Sequence, residues 1–296
     1  MKYVVLFNPL AGHNGSDEAI PKLKKILAGN ELIFEDVTKT DVEKAVAKAG
    51  VDTAIILVGG DGTLNKFINT VDCDKLKNKL YLYPAGSGND FRNDIADTAE
   101  AFTADGDEGE ENGKLYLIND FITNLPVATV NGKDYKFING IGYGIDGYCC
   151  EVGDNLKAAD KKVNYTSIAI KGLLFHFKPR SATITVDGTT YYFEKVWIAP
   201  SMIGRFYGGG MMPTPNQDRH SDKLSMCILH GTGKLGTLMV FPKVFTGKHV
   251  QKEKIITILE GNEITVKFDK PCALQVDGET ILNVSSYTAK RNKRDV

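Results

Sequence analysis

The sequence predicts two domains of different class, an α/β domain followed by an all-β domain. Three observations carry this. Up to residue 90, short apolar runs without alternation are separated by stretches of helical character, the pattern of buried parallel strands joined by crossover helices. From about residue 115 the texture changes to recurring β-branched runs, punctuated by Asn131-Gly132 and Asp187-Gly188, pairs that favour tight hairpin turns. At 296 residues the chain is long enough for two domains of ordinary size, and its 42% hydrophobic and 25% charged residues are those of a globular protein. The expectation is an N-terminal three-layer Rossmann-like domain over 1–118 and a C-terminal antiparallel β-sandwich over 119–284, with the last strand, 285–296, free to return to the first domain.

The elements follow in order. A strand over 3–7 leads to a helix over 17–27, with Ser16 as N-cap and Pro21 limiting how early it becomes regular. A strand over 32–37 is followed by Thr38-Lys39-Thr40 and a helix over 41–49 that stops at Gly50. The run 53–58 is strongly β-branched and reads as a central strand; a helix starts near Gly62, a strand covers 80–83, and a short helix covers 90–95. Each crossover in such a βαβ series is expected to be right-handed. The acidic, glycine-rich stretch 104–114 lacks the alternation of a calcium loop and reads as a solvated connector. Beyond it, strands are expected over 122–130, 136–141, 182–186, 191–199, 224–229, 254–259, 264–268 and 273–276. One long helix over 154–177 and a shorter one over 235–245 interrupt them.

Composition narrows the function. A net charge of −1 gives no global field to recruit nucleic acid, so a small-molecule or lipid substrate is expected. The five cysteines, Cys73, Cys149, Cys150, Cys227 and Cys272, form no CxxC pair, which argues for buried thiols in a reducing cytoplasm. The five histidines show no metal-site spacing. No signal peptide is visible, because Asn8-Pro9 ends the first apolar run too early, and no run approaches the ~18 residues of a membrane span.

The informative segments are three loops, each directly after a predicted strand. Gly59-Gly60-Asp61-Gly62-Thr63-Leu64-Asn65 follows the strand 53–58; its glycines let the backbone turn tightly and approach a ligand, and an acid sits at the start of a helix. Backbone amides and a helix N-terminus there suit a polyphosphate, and the carboxylate suits Mg²⁺ or a hydroxyl. The plain alternative is a tight strand-to-helix turn with no ligand. Pro84-Ala85-Gly86-Ser87-Gly88-Asn89-Asp90-Phe91 and Asn8-Pro9-Leu10-Ala11-Gly12 follow two further strands. All three fall at the carboxyl edge of an open sheet, where ligands of such folds bind. No GxxxxGK[ST] occurs, so this is not a Walker A loop.

Together, Asn8-Pro9-x-x-Gly12, the GGDGTLN at 59–65 and the PAGSGNDF at 84–91 resemble the diacylglycerol kinase catalytic-domain superfamily, which includes bacterial soluble lipid kinases and sphingosine and ceramide kinases. The resemblance extends to the segment 137–146, to Gly208-Gly209-Gly210 with Pro215, and to Gln275-Val276-Asp277-Gly278-Glu279, in order along nearly the whole chain. It implies a two-domain lipid kinase with its active site in the interdomain cleft, using ATP and Mg²⁺. By resemblance the nucleotide contacts are Asn8, Pro9, Leu10, Ala11, Gly12, Thr38, Gly59, Gly60, Asp61, Gly62, Thr63, Asn65 and Ser87.

Phosphoryl transfer needs an oriented hydroxyl and a base to receive its proton. With no histidine in a motif, the base is expected to be a carboxylate. Asp277 and Glu279 flank Gly278, so in a turn both can face one point; the bland reading of Asp-Gly-Glu is a β-turn. The resemblance puts the proton acceptor at Glu279, makes Asp277 its essential neighbour and leaves Asp61 as the rival. It also implies a structural Mg²⁺ held by Asp222 and the carbonyls of Arg219 and Leu224. Here the chain departs from the usual Asp-Asp-Gly and reads Ser221-Asp222-Lys223, a cation beside the expected site.

The segment 161–178 mixes apolar residues with lysines and suits transient contact with an anionic membrane surface, or equally an apolar face packed on the sandwich. The basic tail 290–294 reads as another such contact or a solvated end. Two other functions stay open. An NAD kinase shares the GGDGT loop, but its Asn-Glu dipeptide should follow that loop, and here Asn-Glu occurs only at 30–31 and 262–263. A non-catalytic nucleotide- or lipid-binding regulator is disfavoured by the retained acids at 61, 90, 277 and 279. The acceptor lipid and the oligomeric state, a homodimer included, are not specified by the sequence.

Overall fold

The computed structural model describes residues 1–9, 15–86, 88–103 and 113–291. The chain divides into two units, Met1–Thr123 and Asn124–Val296.

In the first unit, β1 (Lys2–Phe7), α1 (Gly15–Ile26), β2 (Glu31–Asp36), α2 (Val42–Lys48), β3 (Thr53–Gly59), α3 (Asp61–Thr70), β4 (Leu80–Pro84) and α4 (Asp90–Ile95) alternate as the sequence predicts. The short strands β5 (Ala101–Phe102) and β6 (Leu115–Leu117) follow. The sheet order is β2-β1-β3-β4-β6-β5, parallel through β4 and antiparallel beyond it. β1 steps one way to β2, and β3 then crosses back to the other side of β1. Right-handed crossovers therefore put α1 on one face and α2 and α3 on the other, which makes three layers. Period-2 side-chain alternation fits this arrangement: Tyr3 and Val5 of β1 share a core with Ala19 and Leu23 of α1 and with Ile56 and Val58 of β3. Asp41 caps α2 by accepting the amide of Lys44 at 3.1 Å. Helix α1 begins at Gly15, ahead of the expected cap at Ser16, and runs through Pro21.

The second unit comprises β7 (Val127–Val130), β8 (Lys133–Lys136), β9 (Gly140–Gly144), α5 (Ile145–Ala158), α6 (Tyr165–Lys171), β10 (Arg180–Val186), β11 (Thr189–Val196), β12 (Ile198–Met202), β13 (Leu224–Leu229), α7 (Lys234–Val244), β14 (Ile256–Gly261), β15 (Glu263–Val276) and β16 (Glu279–Lys290). All pairings are antiparallel and join into one ten-stranded network among the described residues. The network forks at β15. Residues 264–268 pair with β10, whereas 274–276 pair with β9, and register shifts lie between 267 and 274. A bulged strand of this kind passes from one sheet layer to the other. Tyr143, buried at the fork, meets Phe268 edge-on with ring centroids 4.3 Å apart. Residues 285–290, left free by the sequence to return to the first domain, run in β16 beside β15 and β7.

Two expectations are corrected. The single helix over 154–177 is two helices plus a π-helical turn, Gly172–His176. Asp160, at φ +53°, stops α5, and the Lys161 amide closes back on the Leu156 carbonyl at 2.9 Å; Asn164 then caps α6 through the Ser167 amide. The strand expected over 122–130 shortens to β7, because Asn124 at φ +49° and Pro126 interrupt extended pairing. Much of the stretch 104–114, the tail from 292 and the side chain of Ser16 lie outside the described residues.

Candidate functional site

Sheet order locates a crevice in the first unit. The topological switch falls between β1 and β3, and the loops leaving their carboxyl ends are the Asn8-Pro9 and Gly59–Asn65 segments. Across it, the Asn8 side-chain amide donates to the Thr63 hydroxyl at 3.3 Å, and the Asn8 main-chain amide to the Val58 carbonyl at 3.3 Å. The third loop is interlocked with the second. A Cβ on Gly60 would lie 2.5 Å from the Gly88 carbonyl oxygen, and one on Gly86 would lie 2.4 Å from the Gly60 Cα. Main-chain bonds run both ways, from Ala85 to Gly59 and from Asp61 to Gly88. The glycines are thus required by close backbone approach between two loops.

Asp61 opens α3 but serves its neighbour. Its Oδ2 accepts the Asp90 amide at 2.8 Å and its Oδ1 the Phe91 amide at 3.0 Å, so the carboxylate sits over the first turn of α4. Thr63 and Asn65 are largely buried in α3. Thr38 is exposed just beyond β2; both its amide and its hydroxyl donate to Asp36 Oδ1, and these bonds hold the Asp36 carboxyl below its ordinary value. The Val37 amide donates to the Phe7 carbonyl, which sets the Thr38 turn beside the Asn8 loop. Leu10, Ala11, Gly12 and Ser87 lie outside the described residues.

In the second unit, Asp277 and Gly278 occupy the centre of the β15–β16 hairpin at φ +47° and +90°, a type I′ turn. The Asp277 carboxylate accepts three main-chain amides: Ile138 at 2.7 Å, Asn139 at 2.8 Å and Gly140 at 3.0 Å. Its own amide donates to the Gly140 carbonyl, and Gln275 Oε1 accepts the Gly278 amide. Glu279 is exposed at the start of β16, next to Thr280, whose hydroxyl donates to Asp154 of α5 at 2.6 Å. Asp277 and Glu279 are therefore held differently: one carboxylate ties the turn to the entry of β9, while the other stands in solvent.

The loop expected to hold a structural Mg²⁺ does not fit that role. The Arg219 carbonyl, one of the three implied donors, accepts Nη2 of the buried Arg291 at 2.8 Å. The Asp222 carbonyl accepts from Asn262 at 2.7 Å. A fixed guanidinium on the donor oxygen opposes a second cation there. The Arg219 side chain points elsewhere, to the Ile138 carbonyl and Asn139. Among the described residues no three His, Cys, Asp or Glu side chains gather into a metal-holding group.

Sequence reasoning missed two groups. Asp146, in the first turn of α5, is fully enclosed, and neither side-chain oxygen makes a hydrogen bond of normal geometry. Burial pushes its carboxyl up to about 8; the nearby amides of Asp146 and Gly147 pull it down more weakly. Its signal was the Gly142-x-Gly144-x-Asp146 run, in which a Cβ on Gly142 would lie 2.7 Å from Asp146 Oδ2. The second group is Arg291, which carries no local motif. None of the five cysteines is in a disulfide, and burial pushes Cys150, Cys227 and Cys272 up to about 12, which disfavours thiolate at neutral pH.

A doubly wound unit with glycine-rich loops at its switch point, followed by an antiparallel unit carrying an Asp-Gly-Glu turn, is the build of a two-domain kinase. Residues 2–105 match the diacylglycerol kinase catalytic domain, and residues 139–289 match the YegS C-terminal NAD kinase beta sandwich-like domain. The chain belongs to the diacylglycerol kinase catalytic-domain family with the YegS-type C-terminal domain, and it is a kinase. A diacylglycerol kinase of Mycobacterium tuberculosis (strain CDC 1551 / Oshkosh) is 23% identical over 264 residues, covering 86% of this chain and 82% of the relative. One from Bacillus subtilis (strain 168) is 24% identical over 284 residues, covering 93% and 88%. The crystal structure of a diacylglycerol kinase from Bacillus anthracis str. Sterne superposes with a TM-score of 0.60 at 18% identity, covering 98% of this chain and 94% of that one, which supports the fold. No helix among the described residues is long and apolar enough to cross a membrane.

Proposed function

We propose that this kinase transfers the γ-phosphate of ATP to the hydroxyl of diacylglycerol or a related lipid alcohol. The names of its relatives support the acceptor class. The observation that carries the donor half is the switch-point crevice, where the loops bearing Asn8, Gly60 and Gly86 lock together through Asn8–Thr63, Gly60–Gly86 and Asp61–Asp90. The N-terminus of α3 opens at the same edge, where its dipole favours a triphosphate, and Thr38 flanks it.

In this reading the lipid hydroxyl gives its proton to Glu279 as its oxygen bonds to the γ-phosphorus, while the bond from that phosphorus to the β,γ-bridging oxygen breaks and ADP leaves. A carboxylate suffices because the transition state is loose and little deprotonation is needed early. Asp277 is a positioning residue: it fixes the turn that presents Glu279. Asp61 fixes α4 and the third loop against the second. Mg²⁺ arriving with ATP would neutralise the β- and γ-phosphates. The enzyme acts from the cytoplasm and meets the membrane only while turning over.

The test is phosphate transfer from labelled ATP to a panel of lipid alcohols, with NAD⁺ as a competitor. Labelled lipid is expected from the wild type, and Glu279→Gln should lower kcat by about 10²–10⁴-fold while ATP binding persists. Label on NAD⁺ and none on any lipid would overturn the acceptor; full activity in Glu279→Gln would overturn the base.

A further inference from the structure

The hairpin that carries Glu279 is tied down on both sides of that residue. Before it, the Asp277 carboxylate accepts the amides of Ile138, Asn139 and Gly140. After it, the Thr280 hydroxyl donates to Asp154 Oδ2 at 2.6 Å, across 126 positions of chain. The Glu279 carboxylate between them is exposed and makes no hydrogen bond or ion pair among the described residues. Its direction is therefore set by its backbone, and the backbone is set by the two ties.

Sheet geometry gives the second tie its leverage. Thr280 opposes Gln275 in the register of β15 and β16, one pair beyond the Val276–Glu279 pair that closes the turn. Successive side chains of a strand point to opposite faces, so drawing Thr280 onto α5 turns Glu279 to the other face. Helix α5 is a firm anchor. It continues β9 with no loop between Gly144 and Ile145. It also lies hard on β15, where a Cβ on Gly147 would meet the Ala273 carbonyl. Asp154 stands two turns further along the same face.

The two bonds on Asp154 differ in weight. Its Oδ1 accepts Lys157 Nζ at 3.3 Å, but the two side chains are 59% and 46% exposed, and an ion pair that open contributes little. The Thr280 bond is short, charge-assisted and partly buried, and a threonine has a single, stiff χ1 to order. Asp154 is thus held chiefly by the strand that carries Glu279.

We infer that Asp154 and Thr280 are positioning residues for phosphoryl transfer: Asp154 holds Thr280, and through it aims the Glu279 carboxylate at the acceptor hydroxyl. Neither residue takes or gives a proton of the reaction. The inference rests on the reading of Glu279 as the base. A displacement of about 1 Å at a reacting group can cost about 10²-fold in rate, so a bond that matters modestly to stability can matter strongly here.

The experiment measures kcat and the KM for ATP with labelled ATP and dioctanoylglycerol. Thr280→Val keeps the branched shape and removes the hydroxyl; it should lower kcat by roughly 10–100-fold and leave the KM for ATP unchanged. Thr280→Ser, which keeps the donor, should stay within about threefold of wild type. Asp154→Ala should match Thr280→Val, and the double variant should lose no more than either alone. Added to Glu279→Gln, Thr280→Val should cost less than about twofold further, because the carboxylate it aims is gone. Thermal midpoints of the single variants should stay within about 4 °C of wild type. Wild-type kcat in Thr280→Val or Asp154→Ala, a loss that Thr280→Ser shares, or a loss that multiplies in full on Glu279→Gln would each overturn the inference. An inactive Glu279→Gln beside a fully active Thr280→Val would overturn the inference alone. Full activity in Glu279→Gln would overturn the base reading and the inference with it.

Discussion

Two carboxylates two positions apart separate structure from chemistry. Asp277 accepts three main-chain amides of the segment entering β9. Replacing it with Asn substitutes an amide for one acceptor oxygen and turns a donor toward donors, at about 2–3 kcal/mol. Asp277→Asn should therefore lower the thermal midpoint by about 5 °C or more, read by calorimetry. Glu279 is exposed, so Glu279→Gln should leave that midpoint within about 1–2 °C while removing transfer. A third acid behaves differently again. Asp146 is enclosed without a full hydrogen bond, and burial pushes its carboxyl up to about 8. The unfolded chain releases this proton near pH 4, whereas the native chain keeps it to about pH 8. Over that window the native state binds more protons, so Asp146 makes stability fall as pH rises, by at most about 1.4 kcal/mol per unit. Urea midpoints at pH 5, 6.5 and 8 should fall for the wild type relative to Asp146→Asn, with the variant the more stable at pH 8. Parallel curves would mean that Asp146 ionises freely in the native protein.

At the scale of elements, the decisive contact is backbone against backbone, where the β3–α3 and β4–α4 loops meet through Gly60 and Gly86. A methyl at either position needs space held by main-chain atoms, so Gly60→Ala must push the loops apart and carry Asp61 off the α4 amides. The expected result is loss of ATP binding by at least tenfold in calorimetry, with the second unit's circular dichroism unchanged; Gly62→Ala, which has open space, should bind normally. These loops were legible in the sequence because glycines and acids follow short apolar runs at once. Hairpins were legible for the same local reason: Asn131-Gly132 and Asp187-Gly188 both adopt the paired positive φ their composition favours. What failed had two causes, one local and one long-range. The helix expected over 154–177 breaks where Asp160 turns left-handed and Asn164 starts a new cap, whereas lysine-rich, apolar spacing continues across the break. Strand β16, with Asn283, Ser285 and Ser286 in it, carries little strand character of its own and is held by β15 and β7.

Over the whole molecule, the change of texture near residue 115 announced the change of architecture, and the division falls after Thr123. Family membership was legible because its motifs are loops of fixed order. Invisible in the sequence was the way unit 2 ties down its own loop at 218–224. Arg291, 1% exposed, follows β16 and reaches a carbonyl 72 positions earlier, a pairing that no local pattern encodes. The Arg291 amide also donates to the Asn262 carbonyl, and Asn262 in turn donates to the Asp222 carbonyl, so one residue binds the loop, the β14–β15 connection and the end of β16 together. Truncating it would leave the Arg219 carbonyl enclosed without its donor and open a cavity, at about 2–4 kcal/mol. A guanidinium on the Arg219 carbonyl also opposes a divalent cation at that oxygen. The unfolding midpoint of the wild type should therefore be the same in EDTA and in millimolar Mg²⁺ without nucleotide, and Arg291→Met should lower it in both. A saturable rise of the wild-type midpoint with Mg²⁺ that Asp222→Asn abolishes would show that the loop takes metal after all, since only a ligand that binds the native state preferentially can raise it.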